Sequence, residues 1–147
     1  MHITRRQARE WAIQILTAAD LNRPEDLPSY IEDFFLQLFS LDEEDGGLKG
    51  KINDKMKNFV IERVAGVFAC LEEIDSKVDS LLVDGWCMAR LGTVERAVLR
   101  MGIWEIDNAG IEPAVVINEA VDLVNWFSSP KSRSLINGIL DRYSKTK

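Results

Sequence analysis

Residues 112–127 read "EPAVVINEAVDLVNWF", and this stretch decides between a mixed and an all-helical fold. Taken alone, "PAVVI" (113–117) is β-prone, because its branched side chains suit a pleated strand. The apolar positions do not alternate, however. Val116, Ile117, Ala120, Leu123, Val124 and Phe127 recur at steps of one, three and four, the spacing of one helix face. Pro113 suits the first turn of such a helix, where its missing N–H is not needed. The segment reads as a helix, and no other segment of the chain reads as a strand.

The same period extends outward in both directions. "SSPKSRS" (128–134) breaks the pattern, and a last helix carries Leu135, Ile136, Ile139, Leu140 and Tyr143. Upstream, "NAGIEP" (108–113) is a turn, and Thr93 is placed to cap a helix with Val94, Ala97, Val98, Met101 and Trp104 on its apolar face. "DGWCMARLGT" (84–93) is a connection with anchoring apolar residues. Earlier helices are expected near 75–84, near 53–73, and from Pro28 through Phe39. "SLDEEDGGLKGK" (40–51) reads as a polar, glycine-rich loop, the part of the chain expected to move most. The first helix opens on a capping box, Thr4-Arg5-Arg6-Gln7, and carries Ala8, Trp11, Ala12, Ile15, Leu16 and Ala19. The fold class is all-α, with about seven helices. A single domain over 1–147 is expected, divided into an N-terminal half (1–85) and a C-terminal half (86–147).

Chemistry-bearing motifs are few. The one histidine is His2, which leaves no histidine-based triad and argues against most zinc sites. Cys70 and Cys87 lack CxxC spacing and read as small buried thiols. "GGLKGK" (46–51) is one residue short of a phosphate loop, and Ile52 stands where that loop needs Ser or Thr. Glu119 and Asp122 share a helix face, but a structural role fits them better than catalysis. Arg100, on an otherwise apolar helix, needs a partner if buried, and Glu119 is the expected one. No catalytic residue, metal or cofactor is expected, and the protein reads as a non-enzyme. "VAGVFACL" (64–71) is far too short to span a membrane. The chain is expected to be soluble and cytoplasmic. The four tryptophans, Trp11, Trp86, Trp104 and Trp126, lie at core-like positions, Trp126 being the least clear because a basic loop follows it.

Charge is unevenly spread. The chain carries a formal net charge of −6, yet residues 1–19 are net +2 and residues 20–85 net −9. Arg5, Arg6 and Arg9 fall within one arc of the first helix, beside the flank that docks. Cations at a helix N-terminus oppose the macrodipole, so they add nothing to the helix through it. Two readings stay open on this evidence: an anion-binding face, or a solvated helix start.

Four segments in order resemble the NusB family. They are "RRQARE" (5–10), "WCMARLGTVERAVLRMGIWEI" (86–106), "EPAVVINEAVDLVNWF" (112–127) and "SLINGILD" (134–141). Lys131 stands where the family commonly has an acid, Leu135 where it often has Phe, and Trp104 where Tyr is usual. The resemblance implies two packed three-helix subdomains and a non-catalytic role in transcription antitermination. It implies binding to boxA-type RNA together with a NusE-type ribosomal protein, acting indirectly on RNA polymerase. By matching positions, Arg5, Arg6 and Arg9 would contact RNA, joined by Lys131 and Arg133 on the loop after Phe127, which lies close to the arginine helix in this fold. The alternative is a helical protein-interaction module or homodimer that does not bind RNA. NusB-like domains also precede some RNA methyltransferases, but Lys147 falls just past "GILD" (138–141), and no catalytic domain is expected to follow.

Overall fold

The computed structural model describes residues 4–44, 54–127 and 129–147, with side chains described at all of these except 39–44, 126 and 127. They form seven α-helices: α1 (Arg5–Leu21), α2 (Leu27–Glu44), α3 (Asp54–Ala69), α4 (Leu71–Asp79), α5 (Thr93–Asn108), α6 (Pro113–Phe127) and α7 (Pro130–Lys145). One 3₁₀ turn, Met88–Arg90, lies between α4 and α5. The β-prone start of α6 is helical, as its period requires, and no strand occurs among the described residues. The chain divides into two compact units, Met1–Ala65 and Gly66–Lys147, so the division falls within α3.

In the first unit, α1 buries the face its period marks: Ala8, Trp11, Ala12, Ile15, Leu16 and Ala19. Trp11 meets Phe35 of α2 edge-to-face at 6.0 Å between ring centroids, the geometry the ring quadrupoles favour. Ile31, Val60 and Val64 complete this core. Asp26 supplies a cap that the sequence reading did not name: its Oδ1 accepts from the Ser29 N–H at 3.2 Å. The helix also runs on through Glu44, into the segment read as loop. Residues 45–53, the rest of that segment and all of "GGLKGK", lie outside the described residues.

In the second unit, α5, α6 and α7 pack pairwise on one another, and α4 packs on α5. Val98, Leu99, Met101 and Ile103 of α5 meet a core built from Val116, Leu123 and Val124 of α6 and Ile136, Ile139 and Leu140 of α7. The break between α3 and α4 falls at Cys70, where the N–H reaches both Gly66 O and Val67 O and the turn tightens. Both cysteines are free and half-buried, more open than expected. Gly92, not Thr93, is the N-cap residue of α5. Trp86 departs most from expectation: it is 54% exposed, because Met88 and Leu91 are the residues that anchor the 84–93 connection. The Met88 N–H donates to Asp79 Oδ1 at 2.6 Å, fixing that anchor to the end of α4.

A polar cluster ties α4, α5 and the C-terminal turn together. The Tyr143 hydroxyl lies 2.7 and 2.8 Å from the two Asp107 oxygens and donates to that carboxylate. Lys77 Nζ donates to it at 3.1 Å, and Lys147 Nζ is a further partner. Burial alone would push the Asp107 carboxyl up. Hydrogen bonds from Lys147, Tyr143 and Lys77 outweigh it and hold the carboxyl below its ordinary value. Burial likewise pulls the Lys77 ammonium down, but its bonds to Asp107, Tyr143 and Glu73 prevail and raise it. A carboxyl depressed in the folded state stabilises fully above its unfolded value, near pH 4, and loses that contribution as pH falls through the folded value. Urea unfolding at pH 7 and pH 3 is therefore expected to show a loss of stability on acidification to which this group contributes. In Asp107→Asn that contribution should vanish, with the stability at pH 7 already lowered.

Candidate nucleic-acid interface

The start of α1 is built by its cap. Thr4 is extended, and its hydroxyl oxygen accepts from the Gln7 N–H at 3.1 Å. The first turn holds no acid. It therefore combines exposed helix N–H groups with the side chains of Arg5 and Arg6, both exposed.

Arg9 differs from the expectation that all three arginines share an open arc. It is 5% exposed. Its guanidinium lies 5.3 Å from the centroid of the Phe59 ring, and Arg63 lies over the same ring at 3.4 Å. Arg63 is 4% exposed, and its Nη1 donates to Phe59 O at 3.3 Å. Two buried guanidiniums thus share one aromatic ring, an attraction worth about 2 kcal/mol or more when desolvated. Arg9 lies one turn past Arg5 and Arg6, near the inward flank of α1, so the ring of α3 captures it. A helical wheel drawn from sequence gives the arc but not which edge of it a neighbouring helix covers.

Lys131 and Arg133 lie in the first turn of α7 rather than on a loop, and both are exposed. Pro130 opens that helix, as its fixed φ allows. Ser132 between them points inward: it is buried, and its hydroxyl donates to Glu95 Oε1 at 2.7 Å. This bond pins the start of α7 to the start of α5. Glu95 folds back over Gly92, where an added Cβ would lie 2.3 Å from Glu95 Oε2, so glycine leaves the room the carboxylate needs.

Arg100 is a structural residue. Its Nε donates to Asp75 Oδ1 at 2.9 Å and its Nη2 to Oδ2 at 2.8 Å, a two-pronged contact from α5 to α4. The sequence reading named Glu119 as the partner; the fork goes to Asp75, which sits one helix away in space and 25 residues away in sequence. Glu119 is half-buried on α6. Among the described residues no three His, Cys, Asp or Glu side chains converge as metal ligands. No helix among them is long and apolar enough to cross a membrane.

Exposed basic side chains at the starts of α1 and α7 mark each as a candidate anion-binding surface. Comparison with known proteins gives the family. Residues 6–145 match the model of the NusB family. Transcription antitermination protein NusB of Nitratiruptor sp. is 37% identical over 142 residues, 97% of this chain and 92% of that protein. The protein of the same name from Wolinella succinogenes is 37% identical over 138 residues, covering 94% and 92%. The solved structure of NusB from T. maritima superposes with a TM-score of 0.81 at 27% identity, covering 99% of this chain and 93% of that one. A crystal structure of antitermination factors NusB and NusE in complex with dsRNA matches with a TM-score of 0.76 at 29% identity, covering 97% of each chain. The chain belongs to the NusB family of transcription antitermination proteins.

Proposed function

We propose that this chain is an RNA-binding antitermination subunit, acting with a NusE-type ribosomal protein on boxA-type RNA. The observation that carries the reading is the start of α1: a Thr4-capped, acid-free first turn with Arg5 and Arg6 exposed. Guanidinium groups suit phosphate oxygens, because the planar fork can donate twice. Arg9, buried on Phe59, serves the same surface by fixing the helix that carries its two neighbours. Lys131 and Arg133 supply a second set of cations from α7. Affinity then comes mainly from phosphate contacts, and the acidic segment 20–85, net −9, limits what the isolated chain can reach. That segment offers a basic ribosomal protein a complementary surface, so RNA binding should tighten with the partner present. RNA polymerase is reached indirectly, through the assembled complex, in the cytoplasm where nascent RNA forms.

The test is RNA affinity measured against salt, with and without a NusE-type protein. Arg5→Ala/Arg6→Ala is expected to keep its helical circular dichroism while losing affinity. The slope of log affinity against log salt should fall by about 1.4, for two contacts on a single strand. An unchanged affinity and slope would remove these arginines from the RNA surface. Binding of the ribosomal protein alone, with no RNA at any salt, would favour the protein-interaction reading.

A further inference from the structure

Trp86 is 54% exposed and its neighbour Val83 66% exposed. With Leu82, Leu91, Leu135 and Arg142 they line a hollow of about 180 Å³ in the second unit. Its lining is apolar apart from Arg142. Arg142 is on the wall, held by a bond from its Nε to Gly138 O at 3.2 Å. Lys131 precedes Leu135 by one turn on the same face of α7 and is exposed. Arg90 donates to the carbonyl of Gly85, beside Trp86, and Arg96 donates to the carbonyl of Leu91 at 2.6 Å. Exposed Asp84 is the acid of this connection, while Asp79 is engaged by the Met88 N–H. Arg142 lines this apolar hollow and the three further cations flank its lining residues, alongside the acids Asp84, Glu95 (bonded to Ser132) and Asp141 (paired with Lys145).

A protein side chain could use the hollow but would have no need of the cations. A nucleobase uses both: its flat face stacks on an indole, and the phosphates on either side meet the basic rim. We propose that this hollow holds one unstacked base of single-stranded RNA, stacked on Trp86, with the adjoining phosphates on Lys131 and Arg142. The inference rests on the RNA-binding reading above and adds to it a residue that engages a base. Stacking tolerates any base, so Trp86 contributes affinity more than sequence preference.

The experiment is a fluorescence-anisotropy titration of labelled single-stranded boxA-type RNA with the full chain, Trp86→Leu and Trp86→Tyr. Trp86→Leu is expected to bind about tenfold more weakly, and Trp86→Tyr to recover most of the loss. The salt slope should not change, since no phosphate contact is removed. A second measurement uses RNAs with one abasic nucleotide moved along the strand. At one position the wild-type chain should lose a similar factor, while Trp86→Leu loses nothing more there. Wild-type affinity in Trp86→Leu, with the Arg5/Arg6 variant still impaired, overturns the proposal and leaves the RNA reading standing. If Trp86→Leu keeps RNA affinity but loses a NusE-type protein, the hollow is a protein dock and the proposal falls. No RNA binding by the wild-type chain, with or without that protein, removes both.

Discussion

Gly66→Ala is expected to destabilise the protein, although an alanine inside a helix ordinarily stabilises it by about 1 kcal/mol over glycine. Gly66 lies within α3, and a Cβ built there would stand 2.1 Å from Trp104 Nε1 and 2.4 Å from Cε2. Those atoms belong to a rigid ring, not to the end of a flexible chain, so the indole must swing or the helices must part. Overpacking of this kind costs roughly 1–3 kcal/mol and occasionally more. A net loss of about 2 kcal/mol after the propensity gain corresponds to a Tm lower by about 4–8 °C for a chain of this size. Adding Trp104→Phe should recover part of the loss, since the smaller ring frees the space. A non-additive double-mutant cycle would locate the effect in this contact. A Tm unchanged or raised in Gly66→Ala would show that the indole moves freely.

The second large effect is expected at Arg100. Its side chain is 10% exposed and that of Asp75 27%, so the pair is shielded on one side and wet on the other. Removing one partner leaves a buried charge with its fork broken, which costs more than the pair contributes when intact. Asp75→Asn is expected to cost about 2–3 kcal/mol in urea unfolding, below the range for fully buried pairs because Asp75 is partly hydrated. Arg100→Met, which removes the charge and keeps the stem's packing, should cost less than Asp75→Asn. Glu119→Gln run in parallel ranks the two acids: the fork geometry predicts the larger effect at Asp75. RNA affinity should change little in any of the three at temperatures where they remain folded.

These two sites show how much of the fold could be read from the chain. Helix identity was legible wherever apolar residues kept a period of three to four, even through the β-prone "PAVVI". The Thr4 cap was legible because its partner is three residues away. Boundaries were less so. The run "SLDEE" looks like a loop, yet α2 continues through it, since acidic residues tolerate a helix once a packed face precedes them. The Asp26 cap stands three residues before Ser29, the ordinary N-cap spacing, while Pro28 suits the first turn that follows it.

The candidate site divides in the same way. Residue types and spacing along α1 picked out Arg5, Arg6 and Arg9, of which Arg5 and Arg6 are exposed, and the family resemblance picked out Lys131 and Arg133, both exposed. What each basic residue faces depends on helices distant in sequence. Arg9 is buried because Phe59 comes from 50 positions further on. Arg100 forks to Asp75 because α4 lies against α5. Trp86 is exposed because Met88 and Leu91, not the largest ring nearby, take the anchoring places. The sequence alone determined the helical class, the order of elements and where charge is concentrated, since these follow from local periodicity and composition. Only the tertiary structure decided which cations are exposed and which are buried inside the fold, because burial belongs to neighbours that packing, not sequence distance, selects.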